Sequence, residues 1–275
     1  MNAKRLIRPI SFAAYFIAAF LLFFFLRLPY DRIKTRIESE VRQRTSLDLS
    51  IGRISPRFVN RFRLTDVSLS NRSGQVLLES PSLTASISML NLLRGVVALD
   101  LDAKAYGGEL LASAKIGRNQ RQFELHASDL DLARYSLFSA TGINLGGKLG
   151  GSFDMTGDSG ALKAQVKGMT SRGLTIKGFP VPDLDFDRCW LDANIRGGRL
   201  SLKKLELEGK ELNINCGGDI ALGDRGGMNL LFRLKPSERL NHEQAGILSL
   251  FKTRDADGFY QFGLGGTLSE PALRL

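Results

Sequence analysis

The sequence predicts a mainly β protein: one N-terminal transmembrane helix, an amphipathic helix, then a long, mostly antiparallel sheet with a few short helices. Three observations carry that prediction. Pro9–Leu26 is an uncharged run of eighteen residues, the next segment repeats apolar residues every three or four positions, and nearly everything after it alternates with a period of two. The expected divisions are a cytoplasmic tail over 1–8, an anchor over 9–27, a juxtamembrane helix over 28–46 and a β domain over 47–275.

Eighteen helical residues rise about 27 Å, close to the hydrocarbon thickness of a bilayer. Ile10, Phe16, Phe20, Phe24 and Leu26 are expected to face lipid in that span. The rival is a cleaved secretory signal, which needs small residues at a cleavage site. Here Arg27-Leu28-Pro29-Tyr30 follows instead. Lysine and arginine are nearly balanced on the two sides, so the positive-inside rule decides little. A short charged tail usually stays in the cytoplasm while a long domain can be translocated. The expected orientation is therefore N-terminus inside, with the bulk of the chain outside the cytoplasm.

The next segment places Tyr30, Ile33, Ile37 and Val41 on one helical face, with basic residues between them. This helix either lies on the membrane or caps the end of the following sheet. Between Arg27 and Arg72 there are eleven lysines or arginines against five acids, a bias suited to anionic headgroups. Arg32, Lys34 and Arg36 are the expected membrane-surface contacts. The net charge of +10 suggests nucleic acid, but a translocated domain would not meet it, so no nucleic-acid partner is expected.

From Leu47 the alternation begins with Leu47, Leu49 and Ile51 and continues through runs such as Leu110-Ala112-Ala114-Ile116 and Leu212-Ile214-Cys216. Such strands have one apolar and one polar face. Asn71 to Gly74, Gly157 to Gly160 and Glu208 to Lys210 read as hairpin turns. Met89 to Arg94, Leu132 to Ala140 and Asn241 to Phe251 are candidate short helices. A device of Gly-Gly, one residue and then an apolar residue recurs from 107, 146, 150, 197, 217 and 265, which suggests strands that bend, bulge or turn sharply.

Several chemistries are suggested locally and then fail. Gly142 to Lys148 opens like a phosphate-binding loop, but Leu149 stands where Ser or Thr is needed and the following residues alternate like a strand. Gly157-Asp158-Ser159-Gly160 resembles a protease nucleophile segment, yet His126 and His242, the two histidines, lie in no catalytic context. Ser128 to Asp131 reads as a turn and a helix cap, and Asp183, Asp185 and Asp187 as a solvated strand face. Cys189 and Cys216 fall on strands with one strand between them, a spacing that favours apolar packing and leaves a bridge in an oxidising compartment as the alternative. No catalytic residues, metal site or cofactor are expected.

The anchor, the amphipathic segment, Leu90-Asn91-Leu92-Leu93-Arg94-Gly95-Val96, Leu145-Gly146-Gly147-Lys148-Leu149-Gly150-Gly151 and Leu264-Gly265-Gly266-Thr267-Leu268-Ser269-Glu270-Pro271 together resemble the AsmA-like proteins. Within them, length and the single anchor look most like type II secretion system protein N (GspN). The resemblance implies a periplasmic sheet curled into an apolar trough and hung from the bacterial inner membrane. Its expected role is a structural or assembly subunit of protein secretion, contacting other secretion-system or envelope proteins through its trough and sheet edges. The alternative is lipid binding or lipid transfer in the envelope, with phospholipid as partner. Leu191, Ile195, Leu212 and Ile214 are the expected trough lining, and the strand around Gly263 to Leu268 is the expected docking edge.

Overall fold

In a computed structural model of the chain the described residues are 29–45, 47–58, 60–72, 74–118, 120–135, 144–173, 175–176, 179–180, 183–222, 226–237, 254–267 and 271–274. The expected anchor, with Ile10, Phe16, Phe20, Phe24 and Leu26, lies outside them, as does the candidate helix at 241–251. Among the described residues no helix is long and apolar enough to cross a membrane. Two units divide the chain, Met1–Leu90 and Asn91–Leu275.

In the first unit the three-to-four spacing forms α1, Tyr30–Arg44. Thr45 ends it, its amide and its hydroxyl both donating to the carbonyl of Val41 at 2.9 and 2.7 Å. Three strands follow, β1 (Leu47–Phe58), β2 (Arg61–Asn71) and β3 (Val76–Ile87), paired antiparallel in chain order. Asn71 closes the second turn: its side chain accepts from the Gln75 amide at 2.9 Å, and Gly74 takes a left-handed φ of 80°.

The apolar phase reverses partway along these strands. Leu49 and the fully buried Ile51 are odd-numbered in β1 but Ile54 is even; in β2, Phe62 and Leu64 give way to Val67 and Leu69. The reversal sits where Gly52 and Asp66 face each other, between the pairs Ile51 with Val67 and Arg53 with Thr65. Asp66 has a φ of 52°, and a β-carbon on Gly52 would stand 2.9 Å from that of Asp66. The crease therefore requires glycine.

Helix α1 lies against β1 as the capping role predicts. Glu38 accepts from the Ile51 amide at 2.8 Å, Lys34 donates to the Gly52 carbonyl at 3.2 Å, and Arg42 pairs with Asp48. Side chains of the helix thus occupy backbone groups that an edge strand would otherwise leave open to another chain.

A five-residue helix, α2 (Met89–Leu93), spans the boundary between the units. The second unit then runs through β4 (Val97–Ala105), β5 (Gly108–Ile116), β6 (Arg121–Asp131), β7 (Asn144–Thr156) and β8 (Ser159–Arg172). A separate two-stranded ribbon, β9 (Thr175–Ile176) with β10 (Phe179–Pro180), interrupts it. It continues through β11 (Leu184–Arg196), β12 (Arg199–Gly209), β13 (Leu212–Ala221), β14 (Met228–Pro236), β15 (Tyr260–Gly266) and β16 (Pro271–Arg274). Apart from the ribbon, each strand pairs antiparallel with its chain neighbour, so this unit is one long meander that does not close on itself.

The glycine pairs divide into two uses. Gly107 and Gly197-Gly198 make two-residue hairpin turns with left-handed φ, whereas Gly146-Gly147 and Gly217-Gly218 sit inside strands. Of the candidate helix at 132–140 the structure describes a 3₁₀ turn, Leu132–Arg134, capped by the Asp131 carboxylate accepting from the Ala133 amide. Ser128 and Asp129, expected in a plain turn, instead form a β-bulge: Ala127 pairs with Gly151 and Leu130 with Leu149, leaving one extra residue on β6, and Asp129 takes a φ of 53°. The expected docking edge is also corrected. Gly263–Gly266 of β15 pairs with β14 on one side and β16 on the other, so β16 stands outermost there.

Candidate functional site

In the second unit the period of two and the antiparallel register place apolar residues in rows that cross the sheet. One row reads Leu101, Ala112, Leu125, Phe153, Leu162, Ala193, Leu202, Gly218, Leu230 and Leu264, each directly paired with the next. The adjacent row on the same face includes Ala103, Leu110, Ala127, Ala164, Leu191, Leu205, Cys216, Phe232 and Phe262. Directly opposite apolar pairs contribute about 0.2–1 kcal/mol each, so the rows stitch neighbouring strands laterally.

Burial along this face is uneven. Ala193 is fully buried, and Cys216, Met228 and Leu230 form a core cluster with Leu202, Leu205, Ile220, Phe232 and Leu264 packed on it. The Phe232 and Phe262 rings stack at 4.9 Å. Towards β6 the face opens: Phe123 is 38% and Leu125 37% exposed. The sequence-predicted lining residues all lie on this face. Leu191 and Ile195 flank Ala193 on β11, and Leu212 and Ile214 precede Cys216 in the same phase on β13, with β12 between the two strands.

Cys189 and Cys216 are free thiols. Burial raises the pKa of both, that of Cys216 to about 11. Both therefore remain protonated at neutral pH, poor as nucleophiles or metal ligands.

The opposite face is polar and holds a groove of about 670 Å³ lined by Lys148, Lys163, Lys167, Trp190 and His126 among others. Lys148, Lys167 and Arg188 stand in one cross-strand row. This cluster is invisible in sequence because it is assembled by register from strands far apart in the chain. His126 sits opposite Ser152, with no hydrogen bond between them. Among the described residues no group of three or more His, Cys, Asp or Glu could hold a metal ion.

The misleading motifs take the structures expected of them. Lys148 lies inside β7, with no helix after it, and its ammonium is 3.5 Å from Asp131. Gly157-Asp158 is the turn between β7 and β8. Asp183 and Asp185 are more than solvated: both pair with Arg172, at 3.4 and 2.5 Å. Of the predicted membrane contacts Arg32 and Arg36 are exposed, while Lys34 is turned onto β1.

A second polar knot braces the turn before β15. Asp255 accepts from the Phe259 amide, from Gln261 and from Arg233, and these donors hold its pKa down to about 2. The Arg233 guanidinium lies 4.5 Å from the centre of the Phe259 ring. No protein-family model, no curated protein and no solved structure matches the chain.

Proposed function

We propose that the protein is an inner-membrane-anchored periplasmic subunit of a type II protein secretion system, an AsmA-like protein whose long sheet curls its apolar face into a trough. One observation carries the reading: the apolar rows continue across the whole second unit while their side chains near β6 stay partly open to solvent. An apolar face of that extent must curl upon itself or hold something. The glycine-jointed segments and the resemblance to protein N of that system favour secretion as the setting. The role is structural: the sheet offers surface to partners and supplies no catalytic group.

The same open rows favour a second reading, an envelope protein that binds or transfers lipid. Loss of export of the host's type II substrates on deleting the chain, restored by the intact gene, supports the first. Unimpaired export, with stoichiometric phospholipid in extracts of the purified protein, replaces it with the second. Leu125→Lys should then strip most of that lipid without altering far-UV circular dichroism. A reporter fused after Leu275 that is active in the cytoplasm would overturn both.

A further inference from the structure

The β1–β2 turn presents a feature that the trough does not use. Phe58, the last residue of β1, is 72% exposed between Arg57 and Arg61, which are themselves exposed. Arg53 and Arg63 stand exposed further along the same two strands, and none of the four arginines forms an ion pair among the described residues. A large apolar ring bracketed by unpaired cations is costly in water and suits a surface that is apolar beneath and anionic above.

Three further contacts show which end of the unit this is. Helix α1 runs antiparallel to β1, since Arg42 meets Asp48, Glu38 meets Ile51 and Lys34 meets Gly52. Its first residue, Tyr30, continues that progression towards the turn, its ring centre 6.4 Å from that of Phe62, which pairs with Pro56. Pro29, which precedes Tyr30, therefore lies at the end bearing Phe58. The Ile87 amide donates to the Asn60 carbonyl at 2.9 Å, which brings the end of β3 there too, just before Leu90, itself 71% exposed. Asp31 is the acid in the first turn of α1 at this end.

We propose that this end of the first unit docks on the anionic surface of the membrane that holds the anchor, Phe58 entering the headgroup layer and Arg57 and Arg61 binding lipid phosphates. The inference rests on the reading of Pro9–Leu26 as a membrane span. Docking would fix the orientation of the first unit on the bilayer. Each basic residue near such a surface is worth about fivefold in the ratio of docked to undocked forms.

Tryptophan reporters in the full chain, reconstituted into phosphatidylglycerol-containing vesicles from a Trp190→Phe parent, test it. Phe58→Trp and Leu90→Trp should each be quenched by lipids brominated near the headgroup and shielded from aqueous acrylamide. Arg72→Trp, at the opposite turn of the same unit, should show the reverse. Arg57→Ala with Arg61→Ala, or purely phosphatidylcholine vesicles, should weaken lipid quenching at position 58. A Phe20→Trp reporter keeps the two readings apart. Quenching at 20 with none at 58 and 90 overturns the docking alone, and no quenching at 20 overturns the anchor.

Discussion

Gly218 offers the sharpest test of how closely the apolar rows are built. It lies inside β13, on the row through Leu202 and Leu230, with a φ of 138°. A β-carbon there would stand 2.1 Å from the Asn229 carbonyl oxygen and 2.9 Å from the Leu230 α-carbon. Both obstacles are backbone, so β13 and β14 would have to separate. Gly218→Ala therefore combines backbone strain of about 1–3 kcal/mol with lost ladder hydrogen bonds of about 1 kcal/mol each, about 3 kcal/mol or more together. Gly157→Ala is the control: its φ is 59°, but nothing lies within 4 Å of the added carbon, so strain of about 1 kcal/mol remains. At about 2–4 °C per kcal/mol for a domain of this size, thermal unfolding followed by circular dichroism should fall about three times further for Gly218→Ala. Equal shifts for the two variants would refute the close approach of these strands.

Other predictions follow from single contacts. Asp255 has a folded-state pKa of about 2 against an ordinary 3.8, so the stability it contributes is present above the higher value and lost as pH falls from about 4 towards 2. An acid titration of the thermal midpoint should show that decline, and Asp255→Asn should flatten it. Glu38→Ala removes the acceptor of the Ile51 amide; the cost of an unmade buried hydrogen bond is about 1–3 kcal/mol, and hydrogen exchange should quicken at Ile51 before it does at Val67. Arg172→Ala frees Asp183 and Asp185 from their shared partner; these pairs are exposed, so the thermal midpoint should move by no more than a few degrees.

Local pattern was legible where one strand's own chemistry decides the outcome. The spacing of Tyr30, Ile33, Ile37 and Val41 is enough to form α1, and alternation over Leu191 to Ile195 and Leu212 to Cys216 is enough to place those residues on one face. Gly197 and Gly198 both take left-handed φ, so the pair alone makes the two-residue turn between Arg196 and Arg199. Features that depend on a partner strand were hidden. The reversal from Leu64 to Val67 is visible in the sequence, but its cause is that Gly52 faces Asp66, which requires the register. Left-handed backbone at Asp66, Tyr106 and Asp129 departs from the usual preference for glycine, so no local signal marks it. The basic row of Lys148, Lys167 and Arg188 and the sharing of Arg172 by Asp183 and Asp185 are likewise products of pairing between segments.

An open meander also changes what stability means for this protein. In a two-layer fold each apolar residue is shielded from above by another element, whereas in the second unit Leu202, Leu205, Ile220 and Leu264 are packed chiefly sideways, against Cys216, Met228 and Leu230 of adjacent strands. Each strand then depends on its two neighbours much as repeats in a solenoid do, and loss of one strand exposes only the edges beside it. The central strands, where Ala193 is fully buried, can hold register even if the face above them is empty. Around Phe123 and Leu125 lateral packing leaves more than a third of each side chain in water, so an apolar partner laid there would bury surface that the sheet cannot bury by itself. The strands best suited to hold a ligand are thus those whose own packing is least complete, while the Cys216 cluster keeps the register that aligns them.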